Sequence, residues 1–116
     1  MAMYDSILES VKLYCLVPKE TTIYDAQIIT FINSELNTVK ELGVGPLKGF
    51  SIEDDSTVWA DMGVDEPLIS AVETYVKISV KLLFDPPTNS YLVNLIEKQR
   101  DEAVWRITND HSCTEE

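Results

Sequence analysis

The chain has 116 residues, 45% hydrophobic and 25% charged, the proportions of one globular domain with a core of its own. Its net charge of −11, from 20 acidic and 9 basic side chains, argues against broad binding to nucleic-acid phosphates, which depends on Lys and Arg displacing counterions. No apolar run approaches the ~18–20 residues that span a bilayer, so no membrane partner is expected, and the opening MAMYDSILESVKLYC lacks the basic start and cleavage site of a signal peptide.

Four helices are predicted. The first, residues 3–17, puts Tyr4, Ile7, Leu8, Val11, Tyr14 and Cys15 on one face at helical spacing and ends before Pro18. The second runs from Tyr24 to Leu42, with Asp25 at its positive end, Gly43 as its stop, and a stripe of Ile28, Ile29, Phe31, Ile32, Leu36, Val39 and Leu42. The third, Pro67 to Phe84, is apolar over roughly 200° of its circumference, leaving Ser70, Glu73, Thr74, Lys77 and Lys81 as a polar strip. It is either the central helix or one whose second flank another subunit covers.

Asp85, Pro86 and Pro87 stop that helix, and Thr88, Asn89 and Ser90 are all able caps for the fourth, which extends to about Thr108. There Leu92, Leu95, Ile96, Ala103 and Ile107 face one way and Trp105 nearly the other. A tryptophan off the core stripe either anchors a contact surface or is covered by the first helix or the tail. The tail, 109–116, is polar and expected to fray. The fold class is therefore all-α: a small four-helix domain with a long loop, residues 43–66.

That loop, 24 residues, exceeds the usual connection. FSI and TVW within it can pair as a short β-hairpin around EDDS. From Ser51 to Glu66 it holds six carboxylates and no basic residue. Such a segment is expected to be mobile in the free chain and to dock on a neighbour through Phe50, Ile52, Val58 and Trp59.

Catalytic vocabulary is sparse. The one histidine, His111, sits beside Cys113 in the tail, short of the ligand set a zinc site needs. Cys15 and Cys113 read as reduced thiols, not as a disulfide framework. GVGPLKG lacks the Gly-Lys-Ser/Thr of a phosphate-binding loop. Glu53, Asp54 and Asp55 lack the alternating spacing of a calcium loop. Glu35, inside the second helix's stripe, is the one acid placed to lose water, and it would reach solvent or meet Arg100 or Arg106. No enzyme, metal or cofactor is expected.

The segment TYVKISVKLLFDPPTNSYLVNLIEKQRDEAVWRI resembles the C-terminal half of the small head-tail connector proteins of long-tailed bacteriophages and prophages. The likeness rests on Leu82, Leu83, Phe84, Asp85, Pro86 and Pro87, then a polar cap. Glu102, Trp105 and Arg106 approximate the family's terminal Glu-Trp-Arg, with Ala103 and Val104 intervening. YDSILESVK, INSELNTVKELGVGP and GFSI with a later tryptophan extend it over nearly the whole chain.

The resemblance implies a virion structural protein at the head–tail interface, assembled in the bacterial host cytoplasm. It would form a ring of about twelve copies between the portal protein and the next neck or tail-terminator protein, with DNA only as transiting cargo. It also implies that Phe84, Asp85, Pro86 and Pro87 form a structural hairpin. Candidate interaction residues are Trp105, Tyr91, Phe50, Ile52, Trp59, Glu53, Asp54 and Asp55. The alternatives are a small acidic helical adaptor or inhibitor of DNA-mimic type, acting as monomer or dimer, and an enzyme using the loop carboxylates with a metal.

Overall fold

The computed structural model describes residues 6–44, 50–64 and 67–114, for 109–114 the backbone alone. Helix α1, Ile7–Tyr14, is capped by Ser6, whose hydroxyl accepts the Glu9 amide at 3.2 Å. It starts later than the stripe suggested; Tyr4 lies outside the described residues. It also ends earlier. Leu16 turns left-handed at φ 64°, the Val17 amide reaches back to the Lys12 carbonyl at 2.8 Å, and the Leu16 amide to Leu13 at 3.1 Å. This is the usual glycine-type helix stop, made here with a leucine. Helix α2, Asp25–Glu41, stops the same way at Gly43, φ 95°, as expected from its glycine.

Between α1 and α2 the chain is tied down by a buried cation. The Lys12 ammonium donates to the Lys19 carbonyl at 3.1 Å and the Thr21 carbonyl at 2.7 Å, and lies 2.9 Å from Asp25 Oδ1. Two carbonyls accept its protons and a carboxylate balances its charge, which is what makes a buried ammonium tolerable. One lysine thus fixes the turn and the start of α2.

Helix α3, Leu68–Phe84, buries Ile69, Ala71, Val72, Tyr75, Val76, Ile78 and Val80. It packs against each of α1, α2 and α4, so its wide apolar face is explained by a central position. Glu73, assigned to the polar strip, is buried and neutralised by Lys77 at 2.7 Å, one turn on. Helix α4, Ser90–Thr114, continues past Thr108, so the backbone stays helical through much of the expected tail. The domain is all-α.

The connection between α2 and α3 differs from expectation. No strand forms among the described residues, and FSI does not pair with TVW. Asn33 on α2 instead takes the place of a partner strand: its side chain donates to the Ile52 carbonyl at 3.0 Å and accepts the Ile52 amide at 2.8 Å. Val58 forms an isolated antiparallel bridge with Ser6, and the Ile7 amide donates to the Thr57 carbonyl at 3.0 Å. A 3₁₀ turn, Trp59–Met62, follows and ends at Gly63, φ 71°. Trp59 is wholly buried, and its indole N–H donates to the Ser10 hydroxyl at 2.9 Å.

Removing that ring opens a large cavity between α1 and the loop. Trp59→Ala should cost about 3–5 kcal/mol in urea unfolding, and Ser10→Ala about 1–2 kcal/mol, since the indole N–H is then left unpaired. A Trp59→Ala protein with unchanged stability would place the ring outside the core.

Candidate assembly interface

The corner between α3 and α4 is built from residue types that admit little else. The Asp85 amide still bonds the Lys81 carbonyl at 2.9 Å, and its carboxylate lies 3.5 Å from the Lys81 ammonium. Pro86 and Pro87 then offer no amide to continue. Asn89 opens α4, its side-chain oxygen accepting the Tyr91 amide at 2.8 Å and the Leu92 amide at 3.3 Å. Of the three caps proposed from sequence, Asn89 is the one used. Phe84, the first residue of the expected hairpin, makes its aromatic contact edge-on with Tyr24 at the start of α2, ring centres 5.4 Å apart.

Helix α4 is rotated relative to the reading from its leucines. Ala103 and Ile107 are buried and Val93, Ile96, Arg100 and Val104 half-buried, a stripe at i, i+3, i+7, i+10, i+11 and i+14. Leu92 and Leu95, expected on that stripe, are exposed. Trp105 is 62% exposed and Tyr91 68%. The first helix does not cover the tryptophan.

The other interaction candidates divide sharply. Glu53, Asp54 and Asp55 are exposed, as expected. Asp54 is held below the usual carboxylate range, chiefly by the Ser56 hydroxyl at 2.6 Å and then by the Ser56 amide at 2.9 Å. Ile52 and Trp59 are buried in the chain's own core and Phe50 is packed partly against it, so these side chains are already engaged within one copy. Sequence reasoning read them as unpaired because their partners, Asn33 and Ser10, lie far away in the chain. Lys12 was missed for the opposite reason: a lysine on a short helix reads as a solvated charge.

Exposed apolar and exposed acidic side chains fall on different elements. The turn after α1 and the α3–α4 corner meet at one end, where Cys15, Leu16, Tyr24, Phe84 and Asp85 line a common cleft. The loop around Thr57 and Val58 meets the other end of α1. Among the described residues, the large exposed apolar side chains fall within 13–24 and 83–105, at the first end and along α4. The exposed acids 53–55 and Asp61 belong to the second end.

Glu35 accepts the Tyr75 hydroxyl at 2.8 Å, a single carboxylate–phenol pair, and not an arginine; Arg106 instead lies 3.4 Å from Glu102. Among the described residues no three metal-ligating side chains converge. The side chains of His111 and Cys113 lie outside the described residues, as do 45–49 of the GVGPLKG segment. No described helix is long and apolar enough to cross a membrane.

Two buried acids give the fold a pH signature. Burial, with a further push from Asp85 against a pull from Lys81, raises the Cys15 thiol from 9.0 to about 11. Tyr75 is raised from 10.0 by burial first and then by its bond to Glu35. Both are neutral when protonated, so the stability they contribute is full below the unfolded values and is lost as pH rises through the folded ones. The urea midpoint should hold to about pH 9 and fall toward pH 11, less steeply in Cys15→Ala. An equally steep fall in that variant would mean the thiol is not buried.

A family model described as phage connector protein matches residues 7–113. Comparison with curated proteins and with solved structures returned no match.

Proposed function

The chain belongs to the phage connector protein family, a structural family of the virion, and from that membership we propose a specific role. Copies assemble as a ring of about twelve, seated between the portal and the next neck or tail-terminator protein, through which DNA passes. The observation that carries this reading is the segregation of the surface. Apolar anchors, Trp105 and Tyr91 foremost, occupy α4, while Glu53, Asp54 and Asp55 stand exposed on the loop.

The two surfaces suit two tasks. Exposed aromatics supply most of the affinity of an interface once they are desolvated. Carboxylates facing a lumen repel phosphates within a Debye length, ~8–10 Å, so DNA slides past without sticking. Tyr24–Phe84 packing and the proline corner hold α4 at a fixed angle to the core, so the anchors are presented rigidly. Assembly takes place in the host cytoplasm, and the ring then remains in the particle.

Trp105→Ala should leave the melting temperature within a degree or two, because the ring is exposed, and weaken ring assembly by about 2 kcal/mol or more. Reversing Glu53, Asp54 and Asp55 to lysine should give heads that assemble but eject DNA poorly. Full infectivity of the reversed variant would place the loop outside the channel. Equal loss of folding and assembly in Trp105→Ala would return that residue to a structural role.

A further inference from the structure

The outer face of α4 carries a second pattern. Tyr91, Leu95, Lys98, Glu102 and Trp105 follow one another at steps of four, three, four and three, the spacing of a two-helix seam. All five are exposed, and the inward residues Ala103 and Ile107 occupy the opposite side of the helix. Without Tyr91, the remaining four positions are spaced symmetrically about Arg100. Leu95 and Trp105 stand five residues to either side of it, and Lys98 and Glu102 two.

We propose that the free chain forms a two-fold dimer in which this stripe packs antiparallel on the same stripe of a second copy. In an antiparallel seam each a-type position layers against a d-type position of the other helix. Leu95 then meets Trp105, and Lys98 meets Glu102, each contact repeated by the two-fold. Charge selects this arrangement over a parallel one, which would stack Lys98 on Lys98 and Glu102 on Glu102. Glu102 is free to turn toward a second copy, since its contact with Arg106, 3.4 Å, is long and both side chains are more than half exposed. Two layers of charge at the centre fix the register at the expense of affinity.

The seam from Leu95 to Trp105 is only about 15 Å long at 1.5 Å per residue. Such an interface falls below about 1,200 Å² and suits a dissociation constant on the order of 10–100 µM. Trp105 is also the ring anchor proposed above, so dimer and ring compete for one face. The dimer itself does not depend on the ring reading, and its test uses the free protein alone.

Sedimentation velocity from about 5 to about 500 µM brackets the expected constant. The wild-type chain should pass from monomer to dimer. Lys98→Glu, which sets Glu against Glu102 in both central layers, should weaken dimerisation at least about tenfold. The exchange Lys98→Glu with Glu102→Lys should restore it, because the two charges are merely swapped. Acrylamide quenching supplies a second readout without mutation: Trp59 is buried, so quenching that falls with concentration reports Trp105 becoming covered. A wild-type monomer throughout, species larger than a dimer, a Lys98→Glu protein that dimerises like wild type, or a swapped variant that stays monomeric would each overturn the proposal.

Discussion

The burial of Trp59 against α1 is the contact on which the rest of the molecule depends. A 3₁₀ turn delivers the indole into the core, and the Ser10 hydroxyl takes its N–H at 2.9 Å, across 49 residues of sequence. That hydroxyl in turn donates to the Ile7 carbonyl at 3.1 Å, so the tryptophan is wired to the first turn of α1. A polar atom left alone at that depth would be costly; paired, it specifies where the loop lies. With the loop pinned at one end of α1 and Lys12 pinning the turn at the other, α1 becomes a short strut held at both of its ends.

Several properties follow from the strut. The acidic stretch 53–55 is displayed on a segment fixed on both sides, by Asn33 at Ile52 and by Ser6 at Val58. The core takes in the loop's own Ile52, Trp59 and Met62, which leaves those side chains nothing to offer a neighbour. Among the described residues the large exposed apolar side chains then lie on α4 and at the end where α1, α2 and α3 close.

Much of this architecture was legible in the chain because short-range chemistry decides it. The wide apolar face of α3, the stop at Gly43, the cap at Asn89 and the break at Pro86 each depend on neighbours within a turn or two. What escaped depends on distance or on substitution. Leu16 adopts a left-handed conformation that sequence ordinarily flags with glycine, so the end of α1 was read at Pro18. Lys12 becomes a core residue only because two carbonyls and Asp25 converge on it.

The same logic explains the errors at the site. Leu92, Val93, Leu95 and Ile96 offer α4 two nearly equivalent apolar stripes, and the choice falls to packing on α3, which takes Val93 and Ile96 and leaves the leucines in water. Trp105 lies off either stripe, and of the two alternatives its sequence left open the ring is exposed. FSI and TVW carry a hairpin's composition, but each segment finds a better partner in α2 or α1 than in the other.

Hydrogen exchange on the free protein tests the central contact most directly. With the loop anchored within a single copy, the Ile52 amide, bonded to Asn33, and the Ile7 amide, bonded to Thr57, should exchange slowly, together with the Trp59 indole. Protection at these three sites should approach that of α3. Exchange at the rate of an unstructured peptide across 50–60, with α3 still protected, would contradict the account and return the loop to a linker awaiting a neighbour.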